Sequence, residues 1–252
     1  YRIQRVDRKT EKKYGNLWVV PTEAGHPRQF TQGNHSDSSP RWSPDGRTIA
    51  FLSNRLDKEK PAQVFLIPFD GGEARKLTDV PGEIGDLSWS PDGRKLLCTV
   101  RKTDAEELER EKDEQKKKLG VVARVYDRIF YKLDGYGYLP HERTHLWLID
   151  ARSGKAKQLT DHPIWDESFP SFSPDGQWIV FTSNHSPDPD LEETDDLFLM
   201  TVAQDGASTV AARRLKTPEG TQWMPSFSPD GKWLAYYGVE GKNYGYSYKN
   251  IG

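Results

Sequence analysis

Three stretches of the chain carry residue types at spacings that chemistry can use. His141-Glu142-Arg143-Thr144-His145 matches His-Glu-x-x-His, in which two imidazoles one helical turn apart share a zinc ion and the Glu serves as base. That chemistry needs a helix, and Pro140 opens the stretch while His145 runs into the apolar block Leu146-Trp147-Leu148-Ile149. On extended backbone the two rings would stand about 13 Å apart, too far for one metal. Gly245-Tyr246-Ser247-Tyr248-Lys249 approaches the Gly-x-Ser-x-Gly nucleophile elbow but ends on Lys where the tight turn needs a small residue, so it reads as a strand edge. Asp188, Asp190, Glu192, Glu193, Asp195 and Asp196 gather carboxylates without the Asp-x-Asp-x-Asp-Gly order of a calcium loop, and are expected to form a solvated acidic loop. His26, His35, His162 and His185 sit in polar, turn-like contexts and read as surface histidines. No catalytic residue, metal ligand or cofactor site is assigned within the chain.

The elements that would position any such site announce themselves by repetition. Ser-Pro-Asp-Gly occurs four times, at Ser43, Ser90, Ser173 and Ser228, spaced 47, 83 and 55 residues apart. Trp42, Trp89, Phe172 and Phe227 precede these serines, and their constant position reads as core packing rather than base stacking. After each Gly come two residues and an apolar run: Ile49-Ala50-Phe51, Leu96-Leu97-Cys98, Ile179-Val180-Phe181 and Leu234-Ala235-Tyr236. The tetrapeptide is turn chemistry: Pro pre-sets φ, Asp bonds its own local backbone, and Gly takes the φ > 0 position. Upstream lie Leu17-Trp18-Val19-Val20, Val64-Phe65-Leu66-Ile67, Leu146-Trp147-Leu148-Ile149 and Leu197-Phe198-Leu199-Met200. Each is followed by a short strand ending in Phe30-Thr31, Leu77-Thr78, Leu159-Thr160 or Leu215-Lys216. In the first three units the aromatic and the Thr are 13 residues apart.

Four strands per unit, apolar on both faces and recurring at two blade-sized spacings, define an all-β chain, a β-propeller of four-stranded antiparallel blades; the 83-residue spacing requires an insertion. The expected blade-like units are about 15–55, 63–100, 144–184 and 196–238, with a helical, charged insertion at 101–143. Tyr1 aligns with Phe51, and Lys249-Asn250-Ile251 reads like the start of another Leu-Trp-type strand, so residues 1–252 are expected to be a partial propeller, incomplete at both ends.

Composition narrows the partners. With 36 Lys and Arg against 38 Asp and Glu, the net charge of -2 gives no field that would gather nucleic acid or an anionic membrane. Apolar runs such as Val64-Phe65-Leu66-Ile67 are strand-sized, far short of the ~20 residues of a membrane span. A single cysteine, Cys98, excludes an intrachain disulfide framework and suits a reducing compartment; the cytoplasm is the expected location, with the periplasm as alternative.

Within the insertion, the run from Thr103 to Arg110 reads as a solvated helix, with Thr103 and Glu106 as a capping box and Glu106/Arg110, Asp113/Lys117 and Glu114/Lys118 as i,i+4 pairs. Its second half, from Val125 through Arg128-Ile129-Phe130-Tyr131-Lys132-Leu133-Asp134-Gly135-Tyr136-Gly137-Tyr138 to His145-Leu146-Trp147-Leu148, resembles the propeller of bacterial acylaminoacyl-peptidase-like members of the prolyl oligopeptidase family. There an Arg-aromatic-aromatic-x-x-Asp-Gly-x-Gly-aromatic stretch precedes a His-Leu-aromatic strand. The Ser-Pro-Asp-Gly repeats are shared with TolB-like propellers, and the resemblance covers essentially the whole chain. It implies a non-catalytic propeller that gates short or N-acylated peptides toward a C-terminal α/β-hydrolase domain, absent here, with a Ser-His-Asp triad. The paired-Glu motif of the family's dipeptidyl peptidases finds no match, since Glu106-Glu107 lacks flanking aromatics. In this reading Arg128, Tyr136 and Tyr138 are the candidate substrate-binding residues, or else braces of the insertion. The partners are peptide substrate and the polypeptide's own hydrolase domain, and a homo-oligomer is compatible. The alternative is a non-enzymatic TolB-like propeller binding protein partners.

Overall fold

The computed structural model describes residues 1–134, 137–192, 194–202 and 211–241. Antiparallel sheets follow one another along the chain. The first holds β1 (Arg2–Val6), β2 (Lys13–Val19) and β3 (Arg28–Gln29); the second β4 (Asp37–Trp42), β5 (Thr48–Ser53), β6 (Gln63–Pro68) and β7 (Arg75–Lys76). In the third, β8 (Gly82–Trp89) and β9 (Lys95–Lys102) precede the insertion, which forms α1 (Ala105–Lys112), α2 (Glu114–Leu119) and the small hairpin β10 (Lys132–Leu133) and β11 (Gly137–Tyr138). The sheet resumes with β12 (Thr144–Asp150) and β13 (Ala156–Gln158). The fourth comprises β14 (Glu167–Phe172), β15 (Trp178–Ser183), β16 (Asp196–Thr201) and β17 (Arg213–Arg214); β18 (Gly220–Phe227) and β19 (Leu234–Glu240) form the last pair.

These sheets run out of phase with the units expected from sequence. Units such as 15–55 join the last two strands of one sheet to the first two of the next, whereas each full sheet begins on the strand before Ser-Pro-Asp-Gly and ends on the short strand before the Thr. Connector length misleads here: β7 reaches β8 across five residues, but β5 reaches β6 within one sheet across nine.

All four Ser-Pro-Asp-Gly segments form the hairpin turn, with Gly46, Gly93, Gly176 and Gly231 at φ 69–71°. The Ser is as necessary as the Gly. Ser43 Oγ donates to Asp45 (2.5 Å) and accepts the Thr48 N–H (2.9 Å), while Asp45 accepts the Arg47 N–H. The same bonds recur at Ser90, Ser173 and Ser228. The serine bond is the main reason that Asp45, Asp175 and Asp230 are held below the usual carboxylate range. The 13-residue offset has an equally local cause: Thr31, Thr78 and Thr160 accept through Oγ1 the N–H groups of Leu17, Val64 and Leu146, each at 2.9 Å. The register also matches the alignment of Tyr1 with Phe51, since Tyr1 and Trp18 exchange backbone bonds as cross-strand neighbours and Phe51 pairs with Phe65.

The chain divides into two compact units, residues 1–100 with 147–158, and 101–146 with 159–252. In the first unit the second sheet is apolar on both faces because both are covered. Ala50, Leu52, Val64 and Leu66 pack with Leu87, Leu96, Cys98 and Ile149 of the third sheet, and Ile49, Phe51, Phe65 and Ile67 pack with Leu17 of the first. Each buried Leu, Ile, Val or Phe among them contributes about 1.5–3 kcal/mol by leaving water. In the second unit the equivalent strands β15 and β16 bury Ile179, Val180, Phe181, Leu197 and Phe198. The motif aromatics sit at the margin of the core: Trp42 is 49% exposed against the edge of Phe69, whereas Trp89, partly buried, packs against the core of the second and third sheets and donates Nε1–H to the Arg41 carbonyl.

Candidate functional site

The four strands that lead into the Ser-Pro-Asp-Gly turns share one irregularity. Ser39, Asp86, Phe169 and Met224, each three residues before the motif aromatic, adopt φ of 43–55°, and the ladders shift register there in β4, β14 and β18. Two residues earlier stand Asp37, Ile84, Glu167 and Gln222, all buried. Three of these four are polar, so each must find partners inside the fold.

In the first unit Asp37, fully buried, accepts from Ser53 (2.6 Å) and from Arg55 Nη2 with both oxygens (3.1 and 3.0 Å). His35 Nε2 lies 3.4 Å away without hydrogen-bond alignment, and burial lowers its pKa although Asp37 opposes the shift. Nearby, the face of the first sheet opposite Leu17 holds a cleft of about 350 Å³ lined by Ile3, Arg5, Asn16, Trp18, Gln29 and Gln32.

In the second unit Glu167 is within hydrogen-bonding distance of His145 Nδ1, at 2.9 Å, and also accepts the Thr160 hydroxyl; Gln222 bonds Thr217 and the Pro218 carbonyl. Beside them Asp166 accepts the Thr144 N–H (2.6 Å) and pairs with Arg143 (3.1 Å) and Arg101 (3.6 Å). Burial works to raise the Asp166 carboxyl, but those three donors outweigh it and hold the pKa low. Asp195 has no such help: burial, then Asp196 and Asp166, push it up. Two histidines expected at the surface are stacked instead. His162, Trp165, His185 and Phe198 form a column with ring centroids 3.4, 3.8 and 3.8 Å apart. Burial, with His162 adding, drives His185 down to about 4, and its Nε2 has no partner.

Two of the three predicted residues, Arg128 and Tyr138, lie within the described residues. Arg128 is a brace: its Nε and Nη2 donate to Asp190 at 3.3 and 3.2 Å, and the same carboxylate accepts the Phe130 N–H at 3.2 Å. The acidic loop is accordingly not all solvated, since the Asp190 side chain is 9% exposed. Tyr138 is 47% exposed, stacked on Tyr126, with Arg124 4.5 Å and Lys132 5.4 Å from its ring centre. Tyr136 lies outside the described residues, as does Gly245-Tyr246-Ser247-Tyr248-Lys249. Neither insertion helix buries a residue, as expected, but their caps differ from expectation. Asp104 turns from α1 to accept the His141 and Glu142 N–H groups, so Thr103/Glu106 closes no box, and Asp113 caps α2.

The zincin-like pair is separated by this arrangement: His141 sits exposed in a loop 3.7 Å from Asp127, and His145 lies buried in β12. The motif serines are spent on turns, and burial pushes the Cys98 thiol up to about 12, where no thiolate nucleophile forms near neutral pH. What these residues can do is hold and position, through bound carboxylates and a strip of exposed aromatic rings.

No family model matches the chain. It is 36% identical over 201 residues to the uncharacterized peptidase YuxL of Bacillus subtilis (strain 168), covering 79% of this chain and 30% of that protein. Among solved structures, an acylaminoacyl peptidase from Pyrococcus horikoshii superposes at TM-score 0.70 with 21% identity, over 97% of this chain and 34% of that one. TolB from Acinetobacter baumannii superposes at 0.55 with 18% identity, over 88% and 42%. Fold and sequence together make the chain a peptidase-related β-propeller domain. Its particular likeness is to the acylaminoacyl-peptidase-like propellers of the prolyl oligopeptidase family. It spans about a third of the length of the peptidases it matches.

Proposed function

We propose that this chain is the non-catalytic propeller of a serine-type peptidase that hydrolyses short or N-acylated peptides, gating their access to an α/β-hydrolase domain elsewhere in the same polypeptide. The observation that carries the reading is the 36% identity to one segment of a larger peptidase, because a propeller fold by itself hosts enzymes and binding proteins alike. The division of labour follows from the chemistry present. The described residues supply buried structural carboxylates, turn-locked serines and a protonated thiol, so an acyl transfer would draw its Ser nucleophile, His base and orienting Asp from the hydrolase domain. The propeller would act by steric selection, excluding folded chains and admitting short ones. Its partners are then peptide substrate and that hydrolase domain, and the lone buried Cys98 fits a cytoplasmic location.

Fluorophosphonate labelling of the full-length polypeptide, followed by peptide mapping, tests this. A labelled serine outside residues 1–252 is the expected result. A folded full-length protein that takes up no label overturns the serine-peptidase reading and favours a TolB-like binding propeller.

A further inference from the structure

Exposed apolar surface gathers in the insertion. Leu119, Val122, Val125 and Ile129 stand 58–77% exposed, and residues 120–127 belong to no helix or strand. Tyr126, next along the chain from Val125, stacks on Tyr138 and packs on Tyr131, with ring centroids 5.8 and 4.6 Å away; all three rings are partly exposed. Chain continuity and these ring contacts join the apolar residues into one stretch. Apolar surface left open in this concentration marks a place that another molecule covers.

The charges of the adjoining helices select the partner. α1 holds four Glu against Arg110 and Lys112, a net charge of -2, and α2 holds Lys116, Lys117 and Lys118 against Glu114, a net charge of +2. The i,i+4 pairs expected within this run, such as Glu106/Arg110 and Glu114/Lys118, do not form: among the described residues no ion pair engages the charges of either helix. Two exposed segments of opposite sign, left unneutralised within one chain, are self-complementary. In an isologous pair residue i of one copy meets residue j of the other and j meets i, so a twofold axis sets α1 of each copy against α2 of its mate in two equivalent contacts. The stretch from Ala105 to Ile129 supplies 25 residues, within the roughly 20–30 a side of a standard interface. Apolar burial would supply the affinity and the helix charges the register.

We propose that the insertion joins two copies of this polypeptide, residues 119–131 packing on their symmetry mates with α1 of each copy against α2 of the other. The assignment does not depend on the peptidase reading. Sedimentation velocity of the full-length polypeptide across the micromolar range tests it, and a wild-type dimer is expected. Val122→Glu combined with Val125→Glu places charge in the apolar stretch. Both side chains are exposed in the single copy, so Tm should stay at the wild-type value while the dimer Kd rises about a hundredfold. Charge reversal of one helix at a time sets like charges together and should leave each variant monomeric: Glu106→Lys, Glu107→Lys and Glu109→Lys on α1, or Lys116→Glu, Lys117→Glu and Lys118→Glu on α2. Mixed in equal amounts, the two reversed chains should form a heterodimer, because each helix again faces its opposite. A wild-type polypeptide that stays monomeric overturns the proposal, and protection of the 121–129 amides from hydrogen exchange in that monomer would assign the stretch to another domain of the same polypeptide. A dimer that survives the valine and charge substitutions, or reversed chains that fail to pair on mixing, overturns it as well.

Discussion

Severing Arg128 from Asp190 should release the insertion without unfolding the sheets. Both side chains are largely buried, at 18% and 9% exposure, so the pair is worth more than a surface ion pair. Its two bonds, at 3.2 and 3.3 Å, are longer than the 2.7–2.9 Å usual for charge-assisted contacts, which places their coupling near the lower end of the range, about 1.5–2 kcal/mol. The two single truncations should differ. Arg128→Ala leaves Asp190 with the Phe130 N–H, whereas Asp190→Ala strands the guanidinium and that N–H together, costing about 1 kcal/mol more. Because the insertion buries little, the loss should appear as local opening. Native-state hydrogen exchange of the Phe130 and Tyr131 amides in both single variants and the double variant closes the cycle. A coupling below about 0.5 kcal/mol, or an Asp190→Ala effect no larger than that of Arg128→Ala, would refute the bracing role and return Arg128 to the list of substrate contacts.

Other perturbations follow from the same kind of reading. Asp37→Ala should lower global stability by about 3–5 kcal/mol in urea denaturation, because it leaves the Arg55 guanidinium and the Ser53 hydroxyl without their acceptor; Asp37→Asn should cost less. His185 is held neutral in the fold, with a pKa of about 4 against an ordinary 6.5, so the unfolded chain takes up its proton first and stability falls as pH drops from 6.5 toward 4. Discounted for its half-exposed position, this amounts to about 1 kcal/mol between pH 7.5 and 5, and His185→Phe, which keeps the stack, should remove that part of the slope. Asp195 is raised, so its contribution is present below 3.8 and is lost as pH rises through the folded value; Asp195→Asn should therefore raise Tm at neutral pH by about 1–3 °C in a calorimetric scan.

Much of the fold was legible because its determinants are local. The Ser-Pro-Asp-Gly turns and the Thr at a fixed offset act on backbone within a few residues or on the adjacent strand, and the structure contains each of them where the repeat places it. The phase of the sheets was not legible, since in an antiparallel chain of short strands every consecutive pair looks equally suited to hydrogen bonding. The site was harder for a different reason. Arg128 stands out in its loop, but nothing near it announces Asp190, 62 residues away. His162 and His185 look like turn residues until Trp165 is seen between them. The bulge residues gave one signal that sequence reading passed over: the third position before each motif aromatic is Ser39, Asp86, Phe169 and Met224, where chemical type changes from one repeat to the next.

That contrast separates two kinds of information in the repeat. Positions whose identity is set by backbone, the Ser, Pro, Asp and Gly of the turn, stay fixed because any departure strains a hairpin or orphans a hydrogen bond. The buried position two residues before the bulge varies, as Asp37, Ile84, Glu167 and Gln222, yet each polar occupant brings its own partners, Arg55 and Ser53 in one case, His145 and Thr160 in another, Thr217 in the third. Such sites are buried polar networks that work only when complete, so they differentiate one blade from the next and resist exchange of blades. The bulge position follows neither rule: its backbone is fixed, with φ of 43–55° at Ser39, Asp86, Phe169 and Met224, while its side-chain type changes from one strand to the next.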